Sequence, residues 1–462
     1  GSSAEVTGSS GTALGTKAQA AGSAVAVGVS AQATVVSSIA VGNLAQATGN
    51  TSMAIGKEAA ASNSNSIAIG SKANASNSNS IAIGLSTIAS GSSAVSIGYK
   101  TEATGGSSAV FGYESKATNS EATAIGYKST TASRESLSMG RGSEIGTNAD
   151  RALAVGYKAF IGDETTPSTA VHDNGVAVSG TTKDTPQNYT RLKDTIAIGS
   201  EAKAYGYQDI AFGAGANAFN NQTVAIGRSA EARGDYSSVL GYKAAADGKG
   251  ATALGFGARA YGVGSVAIGK EAITNTLDDS AAVEYSVAIG NNARAASNYS
   301  VAIGTHSLAI IEDDVATKAY LTDEKFSKNN GVVSVGNKAY TLGNYDFEEN
   351  HRRITNVAGG ADDYDAVNVA QLRKVYDKAT DNTTKISQLS GGWMLGVTTA
   401  PDVRQASDAT AEGLSRAIQS GQMVRLQAGS GIKLKQDGTN VTIGLKFIDM
   451  HTGGYPINDA KA

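Results

Sequence analysis

Ser66-Ile67-Ala68-Ile69-Gly70-Ser71-Lys72-Ala73-Asn74-Ala75 is one unit of a pattern that runs through most of this chain. Ile67 and Ile69 flank Ala68, an alternation that makes a short strand with branched residues on one face and alanine on the other. After the glycine comes a second alternating stretch that carries Ala73 and Ala75. The triplet recurs as Val25/Val27, Ile39/Val41, Ile81/Ile83, Ile196/Ile198, Val266/Ile268 and Val301/Ile303, and the residue between is almost always alanine. Its glycine recurs nineteen times, mostly fourteen residues apart: Gly28 to Gly140 without a break, Gly199 to Gly269, then Gly290 and Gly304. A period this short means a stacked solenoid, because one unit cannot bury its apolar face without neighbours. Two strands and two turns per period describe a flattened β-roll, with glycine supplying turn conformations that other residues resist. Nineteen coils at the ~4.8 Å interstrand spacing give a rod roughly 90 Å long. On this reading the branched residues fill each coil, and the small residue on the opposite face marks close packing against other chains around an axis.

Composition agrees. The 462 residues include 56 glycines and only 6% aromatics, which suits a close-packed repeat better than one globular core. The net charge of −3, from 38 basic and 41 acidic residues, offers no footprint for nucleic acid or an anionic membrane surface. There is no cysteine. No run of ~18 apolar residues marks a membrane-spanning helix, and no charged start followed by an apolar segment marks a signal peptide. The opening Gly1-Ser2-Ser3 has the look of an expression scar, so these residues are expected to be part of a longer protein.

In-register stacking turns equivalent residues into ladders. Tyr99, Tyr113 and Tyr127 line up, and beside them Lys100, Glu114 and Lys128 alternate in sign, which avoids like-charge neighbours. Such a face is either a self-supporting solvated ladder or a contact stripe, since exposed tyrosine is favoured at interfaces. The candidate contact residues are Tyr99, Lys100, Tyr113, Tyr127, Lys128, Tyr157 and His172. His172 lies in the larger of two breaks. From Gly156 to Gly199 the count is 29 above one period, and 160–194 reads as a long excursion. A smaller break, about 273–284, adds seven residues including Asp278, Asp279 and Glu284. Both are expected to project laterally.

After His306 the period ends. Residues 312–330 intervene before Gly331-Val332-Val333-Ser334-Val335-Gly336-Asn337, then His351-Arg352-Arg353-Ile354-Thr355-Asn356-Val357-Ala358-Gly359-Gly360 and Asp365-Ala366-Val367-Asn368-Val369-Ala370-Gln371-Leu372. Leu372, Tyr376, Ala379, Thr383 and Ile386 are spaced 4, 3, 4, 3, a coiled-coil period with a weak core. Gly391-Gly392-Trp393 opens a unit containing the only tryptophan and a helix-compatible stretch over 406–418. The unit closes on 432–445, where Asp437-Gly438 between alternating strands signals a hairpin.

The fourteen-residue repeats, together with the Arg352-to-Leu372 segment, resemble the YadA-like head and neck of trimeric autotransporter adhesins, over roughly residues 11–375. The Trp393 unit resembles the Trp-ring domains of the same proteins. The resemblance implies a mainly β fold: a left-handed parallel β-roll solenoid, homotrimeric, with a neck, a short trimeric coiled coil and a β-rich Trp-ring-like domain. The expected divisions are a head over 1–310, a neck with its preceding insertion over 311–372, a coiled coil over 373–390, a Trp-ring-like domain over 391–447 and the start of further stalk over 448–462. It also implies that His351, Arg352, Arg353, Asn356, Asn368, Gln371 and Trp393 are structural, the neck residues linking chains through polar contacts.

No chemistry competes with this. The four histidines are scattered, with no HxxxH, HExxH or Cys/His cluster for zinc, and no GxSxG nucleophile appears. GxG patterns such as Gly213-Ala214-Gly215 recur at the solenoid period instead of opening a phosphate-binding helix. GGxGxD calcium nonapeptides, the six-residue period of hexapeptide acyltransferases and the regular threonine arrays of ice-binding solenoids are all missing. The expectation is therefore no catalytic residue, no metal, no cofactor and no nucleic-acid partner. The resemblance implies an adhesin on the bacterial surface, anchored in the outer membrane by a C-terminal β-barrel outside these residues. Its implied partners are matrix proteins (collagen, fibronectin, laminin) or receptors such as carcinoembryonic-antigen-related cell adhesion molecules. The alternative is self-association of heads in aggregates or biofilm.

Overall fold

The structure is a computed structural model that describes residues 1–162, 192–311, 330–342 and 345–390, and the strands Trp393–Leu395, Arg416–Ile418, Ile432–Asp437 and Asn440–Leu445. It divides into two units, Gly1–Arg352 and Arg353–Ala462.

The first unit is a parallel β-solenoid with two sheets of twenty strands each. Three-residue strands such as Ile67–Ile69 build one sheet and two-residue strands such as Asn74–Ala75 the other. Each strand pairs with its copy one period on, so like stacks on like: Ile67 with Ile81, Ala68 with Ala82, Ile69 with Ile83. Hydrogen bonds run along the stack, as from Ile67 N to Ser80 O at 2.9 Å. The breaks leave the ladder intact. Leu153 pairs directly with Ile196 and Phe160 with Lys203, so the larger excursion departs after Gly162 and Phe160–Ile161 is a regular strand. Its residues 163–191, His172 among them, lie outside the described residues. Val266 likewise pairs with Val287 across the smaller break. That loop does not simply project. Asn275 bridges Ala282, and Arg294 reaches back to Asp279 and to Leu277 O at 3.5 Å. Hydrogen bonds from Ser280 and Thr276 hold the Asp278 carboxyl down at about 2.

The interior reverses the expected arrangement. Ala68, Ala73 and Ala75 are 0% exposed, and nearly every residue of the two core clusters is alanine. Ile67 and Ile69 point outward and are only half covered. The reason is the perimeter. Strands of three and two residues joined by tight turns bring the two sheets close together, and a methyl group is what fits between them in nearly every coil, with Val110, Ile145, Ile161 and Val239 the larger exceptions. Alanine therefore fills the coil, and the valine–isoleucine ladder is its outer face.

The glycine after each triplet is fixed twice over. Gly70 has φ +128°, and a Cβ there would stand 2.3 Å from Gly84 O of the next coil. The second residue after it takes a left-handed conformation without being glycine: Lys72 has φ 59° and Lys100 φ 51°. That conformation costs roughly 1–2 kcal/mol. In exchange, the amide points along the stack, with Lys72 N bonding Lys57 O at 2.8 Å and Lys100 N bonding Leu85 O at 2.9 Å.

One buried position breaks the repeat. Where other coils place Ser52 or Ser66, each bonding back three residues, this coil places Asp209, fully buried. Burial pushes its carboxyl up to about 7, against amide and hydroxyl donors from Thr223 at 2.9 Å and the Gly206 amide at 2.7 Å, which pull the other way. The folded value lies above the unfolded value of 3.8, so between them the folded chain holds a proton the unfolded chain has lost. Stability from this group is present below about pH 4 and lost as pH rises to about 7, by an amount on the order of a few kcal/mol. Asp209→Ser is accordingly expected to raise the melting temperature at about pH 8, with the gain vanishing by about pH 4. An equal gain at both values would contradict this.

The roll does not end at 310. Val333–Ser334 pairs with Val301–Ala302, and Leu308 N bonds Gly336 O, so residues expected in the neck form a last coil. Beyond it Tyr340–Leu342 and Tyr345–Phe347 form a hairpin in which Tyr340 stacks on Phe347 at 4.6 Å. Arg352 closes this unit, donating to Ser307 Oγ at 2.9 Å and to Thr305 O and Val335 O.

In the second unit, helix Val369–Ser390 starts at a reciprocal cap. Asn368 Oδ1 accepts Gln371 N at 3.0 Å while Gln371 Oε1 accepts Asn368 N at 3.3 Å. The predicted coiled-coil stripe lies on it, with Leu372, Tyr376 and Ile386 all exposed in the single chain. Trp393–Leu395 pairs antiparallel with Arg416–Ile418, so the end of the stretch expected as helix is strand; the rest of that stretch lies outside the described residues. The hairpin at Asp437 is present, with Ile432–Asp437 against Asn440–Leu445.

Candidate binding surface

The flattened roll has two edges. One is formed by the turns after the period glycines, and the tyrosine ladder stands there. In-register pairing sets Tyr99 against Tyr113 and Tyr113 against Tyr127. Their rings stack at 4.7 and 5.0 Å between centroids. Lys100 Nζ lies 5.2 Å from the Tyr99 ring and Lys128 Nζ 5.4 Å from the Tyr127 ring. Lys128 also pairs with Glu114 at 3.5 Å. A hydrogen bond and charge attraction from Tyr99 raise Lys100 above the usual lysine value; Tyr127 and then Glu114 do the same for Lys128. Partial desolvation, then Glu114, raises the Tyr113 hydroxyl.

The ladder is longer than the sequence analysis drew it. In the next coil Arg141 replaces tyrosine and lies between Tyr127 and Tyr157, 5.5 and 5.9 Å from their centroids. Lys158 stands 5.3 Å from the Tyr157 ring. After two coils with the small residues Ser200 and Ala214 in this column, a second run begins. Tyr242 stacks on Phe256 at 5.2 Å, with Arg228 and Lys243 over Tyr242 and Lys270 over Phe256. The apolar triplets that define the repeat do not mark these residues, because the column after the glycine varies among Tyr, Phe, Arg, Lys, Ser and Ala. The column one residue after each period glycine carries the signal.

The other edge is polar in a different way. Asn65 Nδ2 donates to Asn79 Oδ1 at 3.1 Å and Asn77 Nδ2 to Ser90 O at 3.1 Å, bonds that join successive coils. The candidate residues Tyr99, Lys100, Tyr113, Tyr127, Lys128 and Tyr157 thus share one edge, while His172 is outside the described residues. Of the neck residues, Arg352, Asn368 and Gln371 bond within their own chain, Gln371 also to Gly360 and Asn368 to Val357 O. His351 pairs with Glu349, and Asn356 adopts φ 62°. Among the described residues no group of three or more His, Cys, Asp or Glu side chains is placed to hold a metal, and no helix is long and apolar enough to cross a membrane.

The two-copy YadA head domain repeat matches ten segments between residues 21 and 307, the first five overlapping and the rest separate, with 130–192 left out. The coiled stalk of trimeric autotransporter adhesins matches 353–392, and the two together cover more than half of the chain. The chain belongs to the YadA-like trimeric autotransporter adhesins. Among solved structures it is paired with the collagen-binding domain of the Yersinia adhesin YadA at 19% identity, over 72% of this chain and 87% of that one. The TM-score is 0.16, too low for that pairing to carry any statement about this chain. No curated protein matches.

Proposed function

We propose that this chain forms the head and upper stalk of a homotrimeric surface adhesin that attaches bacteria to host tissue, by many weak contacts and without a chemical reaction. The carrying observation is the outward ladder of Ile67, Ile69 and their equivalents. With alanine filling the coil, this ladder is a continuous apolar strip with no partner in its own chain, far beyond the isolated apolar residues of an ordinary surface. Three chains meeting on it would bury the strip and leave the aromatic–cationic edge outside. The exposed stripe of helix Val369–Ser390 supports the same association. Three copies of one weak site per head, and many heads per cell, give avidity that a single contact lacks. Matrix proteins (collagen, fibronectin, laminin) and carcinoembryonic-antigen-related receptors are the targets that membership of this family suggests. An outer-membrane β-barrel anchor belongs to the same reading.

The test is attachment of beads coated with the purified full chain to immobilised matrix proteins, receptor ectodomains and host cells. The proposal predicts saturable attachment that excess free trimer blocks. Beads that adhere only to one another would instead establish self-association. We assign a second contact to the 160–194 excursion. Deleting 162–192 is expected to weaken host attachment about tenfold while the roll, paired directly across that point, stays folded. Unchanged attachment would remove the loop from the account.

A further inference from the structure

A whole-chain net charge of −3 conceals a segregation of charge between the two edges of the roll. At the two tip residues of each glycine-side turn, ten positions are Lys or Arg, and only Glu58, Glu114, Glu201 and Glu271 are acidic. At the matching tips of the opposite edge the balance is reversed, four basic against six acidic. The basic edge is also the aromatic one. From Tyr99 to Lys270 it runs over ten coil steps, ~48 Å at the interstrand spacing. It carries two cation–aromatic runs separated by the small residues Ser200 and Ala214.

We infer that this edge binds a linear sulfated polysaccharide of the host surface, laid along the roll axis. The inference rests on the adhesin reading and names the ligand class for its exposed edge. Charge sets the sign of the partner: Arg141 and Lys158 have no acidic residue at either tip of their coils, and Arg228 and Lys243 likewise face no acid there. Geometry sets its form. Turn tips make a ridge and not a pocket, and the cations recur by translation along one line, so an extended polymer with repeating anionic groups matches them. The aromatic stacking decides between polyanions. Single-stranded nucleic acid is held without sequence preference by bases stacked on free aromatic faces. Here the faces are taken: Tyr99, Tyr113 and Tyr127 cover one another at 4.7 and 5.0 Å, and Arg141 fills the space between Tyr127 and Tyr157. What remains outward is ring edges, phenol hydroxyls and cationic groups, which suit sulfate, carboxylate and sugar hydroxyls. The stacked rings also hold the cations in line, lowering the ordering cost of binding.

The test uses the full chain over immobilised heparan sulfate at physiological ionic strength, with desulfated heparan sulfate and a single-stranded oligonucleotide of matched charge in parallel. Binding should weaken steeply with added salt and require sulfate. Lys128→Gln/Arg141→Gln/Lys158→Gln and Arg228→Gln/Lys243→Gln/Lys270→Gln should each weaken it about tenfold. Arg134→Gln/Arg151→Gln/Lys249→Gln, which removes the same charge from the opposite edge, should leave it unchanged. All three variants should melt like the parent. No binding, equal loss in all three variants, or equal affinity for the oligonucleotide overturns the inference. Attachment to protein-coated surfaces that persists without polysaccharide binding overturns it while leaving the adhesin reading standing. Polysaccharide binding without attachment to any host surface does the reverse.

Discussion

Aspartate at Ile67, Ile69, Ile81 and Ile83 together is expected to dissociate the assembled head while leaving each chain folded. The four side chains point away from their own coils and pack against nothing in their own interior, which Ala68 and Ala82 fill. The single chain therefore loses little, and its β circular dichroism should be unchanged. At a seam between chains the same change is severe. Each buried isoleucine is worth about 1.5–3 kcal/mol, and each carboxylate put there is an uncompensated charge in apolar surroundings. The dissociation constant should rise at least about a thousandfold, seen as single chains in sedimentation at concentrations where the parent is associated. The same substitution set at Ala54, Ala68, Ala82 and Ala124 is the contrast: there the chain itself should fail to fold, because those positions are the interior.

Gly98→Ala is expected to break the roll locally. Gly98 has φ +140°, in a region essentially reserved for glycine, and a Cβ would stand 1.7 Å from Gly112 O. Relief requires separating two coils, and with them the Glu114 N–Tyr99 O bond and the Tyr99–Tyr113 stack. The cost should reach about 3 kcal/mol or more from backbone strain alone. A solenoid transmits such damage mainly to its neighbours, so limited proteolysis should nick the chain near residue 98 while distant coils stay protected. Gly142→Ala is the control. Its φ is +64°, and a Cβ there meets nothing closer than Lys158 Cγ at 3.6 Å, so the loss should be near 1 kcal/mol and no nick should appear. Equal proteolysis of both variants would contradict the close-approach argument.

How much of this was legible depended on what repetition records. The period of the glycines gave the solenoid, its two strands per coil and the tyrosine ladder, because in-register stacking converts spacing directly into neighbours. Which face of Ile67-Ala68-Ile69 turned inward was not legible. Alternation separates two faces without saying which is enclosed, and the usual preference for burying branched residues pointed the wrong way. The size of the coil decided it, and size is a property of the closed perimeter. The last coil at Val333–Ser334 escaped notice because residues 312–330 separate it from its neighbour, although Gly331-Val332-Val333-Ser334-Val335-Gly336 repeats the apolar alternation. Asn368 and Gln371 are spaced by three, the spacing of a reciprocal helix cap within one chain, and the helix start shows that cap. The basic edge is hidden in the whole-chain charge balance because acidic residues at the opposite edge and elsewhere cancel it.

The central claim is that an alanine-filled roll leaves its branched ladder to be covered by other copies of the same chain. Sedimentation equilibrium of the unaltered chain tests it most directly. The account predicts a species three times the 46.5 kDa chain mass, persisting on dilution. A species of single-chain mass with intact β circular dichroism would contradict it.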